Sequence, residues 1–165
     1  MFRTKDYEYM KVLDTQGREI GYVKDVVMDF HNSVIKGFVI STNSLLSKNQ
    51  CVLTDNIVSI NKVMIIKNTD KCSFMCFKDI KDMEVFNLQG EMMGVLEDML
   101  IEPYNFNIKG LIIASGLLHK LIYGKNIILP INCILGEDLI IHFGDDKRIK
   151  FKTIPHGIEK EDYYE

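Results

Sequence analysis

One feature constrains this chain more than any other: it repeats itself. Residues 10–40 read MKVLDTQGREIGYVKDVVMDFHNSVIKGFVI, and residues 83–113 read MEVFNLQGEMMGVLEDMLIEPYNFNIKGLII, at an offset of 73. Eleven of these 31 positions are identical without a gap, where ordinary amino-acid usage gives roughly two. The matches include Gly17/Gly90, Gly21/Gly94, Gly37/Gly110 and Asp25/Asp98. Further on, Leu53 to Val58 matches Leu129 to Ile134 at an offset of 76, so three extra residues lie in the second copy between Ser115 and Ile128. An internal period of this size means two copies of one structural unit. The spacing predicts a first domain over 1–70, a second over 71–153 and an acidic tail over 154–165.

Each copy reads as strands. Gly17 and Gly90 follow Gln in short polar segments, as turns do. The runs 19–30 and 92–102 are rich in Val, Met, Ile and Leu, and Lys24-Asp25 and Glu97-Asp98 interrupt them at one matched place. A bulge there would let a long strand serve both sides of a small barrel. Strands are expected again over 34–41 and 108–115, with Gly37 and Gly110 marking bending or close backbone approach. A last strand is expected over 148–153, with its first-copy counterpart at 73–77. No segment keeps a 3.6-residue period long enough for a major helix. The fold class expected is all-β: two tandem small barrels, closed so that short strands leave no edges, with few or no helices. About 75 residues per copy is marginal for an independent core, so packing of the copies on each other is expected too.

The string from Gly17 through Gly21 and Asp25 to Asp29, followed by Ile35-Lys36-Gly37, resembles the opening of a PRC barrel. Gly90, Gly94, Asp98 and Ile108-Lys109-Gly110 repeat it, and 127–141 resembles the closing segment of that family. The resemblance covers both copies, roughly 2–153. The family includes the cytoplasmic barrel of the photosynthetic reaction-centre H subunit, the C-terminal half of a ribosome-maturation factor, and stand-alone proteins of spore-forming bacteria, which the second copy resembles most. It implies a non-catalytic adaptor barrel that docks on other macromolecules, and it brings no catalytic residue with it.

Composition agrees with a folded chain: 47% of the 165 residues are hydrophobic and 26% charged. A net charge of −3 provides no global attraction for nucleic acid. The N-terminal residues lack the apolar core of a signal peptide, and the longest apolar stretch, 111–122, is too short and too polar to span a bilayer. A cytoplasmic location is expected. Cys51, Cys72, Cys76 and Cys133 are therefore expected as free thiols. Cys72 and Cys76 have no second pair or histidine at ligand spacing, so no metal site is assigned.

No enzyme is expected, and no catalytic residue or cofactor is assigned. The four histidines form no nucleophile motif with Cys or Ser, and the glycines form no phosphate loop. Asp25 and Asp98 are expected to accept hydrogen bonds from a nearby turn or bulge; an acid–base pair would require the copies to bring them together. Gly17, Gly21, Gly90 and Gly94 are assigned to structural turns. Two surfaces stand out for partners. Leu117, Leu118, Leu121, Ile122 and Tyr123 fall in the region of the second-copy insertion, either capping that barrel or exposed to another protein or a second chain; a homodimer through the second barrel is expected. Lys147, Arg148, Lys150 and Lys152 form a basic stripe, the basis of an alternative reading as an RNA- or ribosome-associated factor. That alternative has its own test. In a gel-shift titration with ribosomal RNA, replacing the four basic residues abolishes binding and flattens its salt dependence, because phosphate contacts release counterions. A wild type that retards no RNA at low salt disposes of it.

Overall fold

The computed structural model describes residues 1–42, 50–114, 125–144 and 149–151, with backbone alone at 42, 125 and 149–151. The first half runs β1 (Phe2–Arg3), one helical turn α1 (Thr4–Tyr7), β2 (Lys11–Asp14), β3 (Glu19–Asp29), β4 (Val34–Thr42), β5 (Gln50–Leu53), a 3-10 turn (Thr54–Asn56), β6 (Ile57–Ile60), β7 (Val63–Ile66) and β8 (Asp70–Lys71). The second runs β9 (Met75–Cys76), α2 (Phe77–Ile80), β10 (Glu84–Asn87), β11 (Met92–Ile101), β12 (Ile108–Ala114), β13 (Lys125–Ile128), a 3-10 turn (Pro130–Asn132), β14 (Cys133–Leu135), β15 (Leu139–His142) and β16 (Ile149–Phe151).

These strands form two eight-stranded sheets of the same topology, β6-β7-β2-β3-β4-β5-β8 and β14-β15-β10-β11-β12-β13-β16. Each has one parallel pair, β2 with β7 and β10 with β15, among antiparallel neighbours. The register fixes the insertion: Ile40 pairs with Gln50, whereas its counterpart Ile113 pairs with Asn126, three residues later. The bulges fall where the polar interruptions are, between Val23 and Asp25 in β3 and between Leu96 and Asp98 in β11, with a second shift before each strand ends. Along β3, Tyr22 and Lys24 face solvent while Gly21 and Val23 are buried; past the bulge, Asp25 to Met28 are all buried.

That change of pattern has a cause in the other half. The eighth strand of each sheet is exchanged. β1 pairs with β11, matching Phe2 to Ile101 and Arg3 to Leu100, and β9 pairs with β3, matching Met75 to Met28 and Cys76 to Val27. The two pairings are equivalent under the 73-residue offset. Near the centre, the Ile35 N–H donates to the Phe106 carbonyl (2.9 Å) and the Ile108 N–H to the Ser33 carbonyl (2.8 Å), flanking a bridge between Val34 and Asn107. Each of these positions is the repeat partner of the other, so the halves are related by an internal two-fold axis. One hydrophobic cluster runs through both, from Val12, Phe38 and Met64 to Val85, Met99 and Ile140. Phe38 stands between Tyr7 (centroids 4.9 Å apart) and Phe106 of the second half (6.1 Å).

Two expectations need correction. The chain is mostly β with two one-turn helices, but neither sheet closes into a barrel among the described residues. β6 and β8 end one sheet unpaired with each other, and β14 and β16 end the other. The terminal strands are two to four residues long, too short to wrap round and meet, and the exchanged segments seal the core instead: Tyr7, Phe77 and Ile80 are buried. The counterpart of the last strand is also displaced. β16 pairs with β13 as β8 pairs with β5, so Asp70–Lys71 holds that place and Met75–Cys76 belongs to the exchange.

Gly17 and Gly90 have φ of +79° and +77° in open turns, whereas a side chain at Gly37 would lie 2.1 Å from the Val52 carbonyl oxygen. Gly17→Val and Gly90→Val are therefore strained by conformation alone, at about 1–3 kcal/mol each. Gly37→Ala pushes two strands apart and destabilises the fold more. Chemical denaturation of the three variants checks the order.

Candidate functional site

The repeated aspartates lie where the exchange is fastened. Asp98 is buried in the β11 bulge and accepts from the Thr4 N–H (3.0 Å), the Thr4 hydroxyl and the Met99 N–H (2.8 Å). Asp25, buried in the β3 bulge, accepts from the Val26 N–H (2.8 Å) and the Lys78 N–H (3.2 Å). Each thus receives the start of the other half's helical turn, and each turn is capped locally, by Asp6 on the Arg3 N–H (2.7 Å) and by Asp79 on the Cys76 N–H (2.9 Å). Lys78 adds a hydrogen bond from its Nζ to the Lys24 carbonyl in the bulge (2.6 Å). Burial raises the Asp25 carboxyl above its ordinary value of 3.8, against the pull of the two N–H donors.

Three thiols gather beside this clamp. Cys72 is pushed up by burial first and then by the neighbouring Cys51 thiol, with Cys76 and Asp25 close enough to contribute. Cys76 is raised by burial and then by Asp25. In the second half, burial pushes Cys133 up to about 12, and its thiol points at the Leu129 carbonyl (3.3 Å). Thiols held protonated in this way are poor nucleophiles. Sequence reasoning weighed Cys72 only against Cys76; Cys51 is brought beside it because β5 pairs with β8.

Two grooves follow from the two-fold arrangement. One, of about 730 Å³, lies between the β3–β4 turn, the 73–75 segment and the second half's 3-10 turn with β14; Phe74, Met75, Ile131, Ile134, Leu135 and Phe143 line it. Its equivalent, of about 610 Å³, lies between the 103–106 turn, the N-terminal segment and the first half's 3-10 turn with β6; Phe2, Thr54, Val58, Ser59, Asn61 and Tyr104 line it. Sequence reasoning missed both, since each is made of short segments from opposite halves. Thr54-Asp55-Asn56 and Pro130-Ile131-Asn132 are the same turn. Lys67 and Phe143 follow it equivalently: the Lys67 N–H donates to the Asn56 carbonyl (2.8 Å) and the Phe143 N–H to the Asn132 carbonyl (2.9 Å). Asp55 and Lys67 in one half are thus replaced by Ile131 and Phe143 in the other.

The comparison with known families agrees with this duplicated architecture. The PRC-barrel domain model matches twice, over 1–71 and 74–150. The chain belongs to the PRC-barrel domain family. No curated protein matches it. Among the described residues, no helix is long and apolar enough to cross a membrane.

Within this tandem PRC-barrel chain, the residues singled out from sequence are distributed as follows. Gly17 and Gly90 sit in the expected turns. Gly21 and Gly94 lie within β3 and β11, where a side chain would strike the Ser41 or Ala114 carbonyl oxygen at 2.0 or 2.4 Å. Leu117, Leu118, Leu121, Ile122 and Tyr123 lie outside the described residues, as do Lys147, Arg148, Lys152 and the acidic tail. Lys150 is in β16, its backbone paired opposite Asn126.

Two outcomes follow for the clamp. Asp98→Ala leaves the buried Thr4 donors without their acceptor and costs about 1–3 kcal/mol; hydrogen exchange of the β1 amides accelerates with it. Asp25 makes the stability depend on pH. Because its folded value is raised, the folded chain binds this proton more tightly than the unfolded chain, and ionisation removes stability as pH rises through the range just above 3.8. Asp25→Asn does not titrate. The stability of the wild type relative to that variant therefore falls across the window, as urea unfolding at stepped pH measures.

Proposed function

We propose that the chain is a non-catalytic cytoplasmic adaptor: two interlocked PRC-barrel halves that present a fixed surface to another protein and self-associate through the second half. One observation carries this reading. The buried carboxylates are engaged in fastening the halves together, whereas large apolar side chains stand exposed around the grooves: Ile131 at 77%, Ile134 at 56% and Phe143 at 43% in one, Phe2 at 46% and Val58 at 52% in the other. Buried, hydrogen-bonded carboxylates and protonated thiols suit structure; exposed apolar patches suit docking.

Affinity capture by the full-length chain, with salt raised in steps and the retained species identified, tests the reading. Apolar docking survives high salt, so a protein retained at stoichiometric level through the series is the expected result. Retention of ribosomal RNA that collapses as salt rises favours the basic stripe of residues 147–152 instead. If neither is retained, the adaptor reading fails.

A further inference from the structure

The duplicated fold contains its own control. The same turn and the same strand end occur twice, at equivalent hydrogen bonds, so what the fold requires at these positions is the same in both halves. The first half satisfies it with Asp55 and Lys67, both exposed. The second has Ile131, which is 77% exposed, and Phe143, which is 43% exposed. Folding does not explain apolar side chains where charged ones serve as well, and water disfavours them by about 25 cal/mol per Å².

We propose that this face of the second half, centred on the Pro130-Ile131 ridge and Phe143, is where two copies of the chain meet. This deepens the self-association reading above by placing it on particular residues. The shape suits a second copy. Ile131 forms a ridge between the groove of about 730 Å³ and a neighbouring hollow of about 460 Å³, both of which it lines. A projecting side chain beside a cavity on one surface is what a two-fold contact uses, since each copy's ridge can enter the other's hollow. The area suits it too. Phe74, Met75, Leu129, Ile131, Ile134 and Phe143 are 38–77% exposed and together offer on the order of 500 Å² of surface, towards the upper end of the largest apolar patch that a monomer ordinarily leaves. A stable interface buries about 800 Å² per partner, so this patch supplies its apolar centre and leaves only a polar rim to be found. The edge strand β14 borders the groove, with one side unpaired among the described residues.

The test exploits the repeat. Ile131→Asp and Phe143→Lys install the residues that the first half carries at the same places, so the fold tolerates them. In sedimentation equilibrium of the full chain at tens of micromolar, the wild type is a dimer. The double variant dissociates roughly 100-fold more readily, as loss of apolar anchors at an interface centre requires, while its melting temperature at a dilution where both chains are monomeric stays that of the wild type. Leu117→Asp/Ile122→Asp, on the other candidate surface, leaves the dimer intact. If only the Leu117/Ile122 variant breaks the dimer, this face is overturned and self-association stands. A monomeric wild type overturns both. A double variant that loses stability as a monomer shows that these side chains are covered within one chain, and overturns the face as well.

Discussion

The molecule depends on a reciprocal exchange: the first residues of each half are hydrogen-bonded to the long strand of the other. A buried carboxylate is costly unless it is hydrogen-bonded, and a strand that bulges leaves backbone groups out of register. Asp25 and Asp98 solve both problems together. Each carboxylate sits in its own bulge, accepts the N–H of the following residue, and keeps capacity for a donor from outside. That donor arrives on a helical turn contributed by the other half. The bulge, the buried carboxylate and the exchanged turn therefore hold one another in place, the carboxylate being bonded to both of the others.

The exchange also settles how a core is made from pieces too small to fold well alone. A unit of about 75 residues buries a modest fraction of its surface. Here the second faces of β3 and β11, which each half alone would leave wet past the bulge, are covered by the opposite half's turn. The single hydrophobic cluster through Tyr7, Phe38 and Phe106 is the result. This is also why the sheets need not close: the side that barrel closure would seal with hydrogen bonds is sealed by Tyr7, Phe77 and Ile80. The two copies share one core about an internal two-fold axis.

Much of this was legible in the sequence, and the rest was hidden for a physical reason. Glycines at turns and close strand crossings, the polar pair that marks the bulge, and the three-residue insertion all leave local signatures, because each is decided by a few neighbouring residues. The exchange does not. Lys5-Asp6 and Lys78-Asp79 match at the same offset of 73, and the aspartates do cap the two turns, but nothing in a two-residue strand says which sheet it joins. Residues 73–77 were accordingly expected to close the first copy, whereas Met75–Cys76 begins the second copy and pairs back across the axis. The grooves were hidden for the same reason: their walls come from segments some 40 to 100 residues apart, and no period within either copy brings Phe74 and Ile134 together.

Divergence between the two copies separates what the fold needs from what it merely permits. Where both halves keep a residue, as at Gly21/Gly94 and Asp25/Asp98, the structure supplies a backbone approach or a buried hydrogen bond that demands it. Where they differ inside the sheets, several exchanges are apolar for apolar, as with Val26 and Met99, or Phe38 and Leu111, all buried, although buried Ile66 answers to buried His142. The positions 55/131 and 67/143 fit neither class, since both lie at the surface and both change from charged to large and apolar in the same half. Two such changes on one turn and its hydrogen-bonded neighbour make one face more apolar than its twin, which keeps Asp55 and Lys67 at these two places. An internally symmetric molecule thereby acquires one side unlike the other, which a two-fold dimer requires if association is to stop at two copies: had both halves carried the Ile131 and Phe143 pair, each chain could bind at two faces, and the assembly would not close.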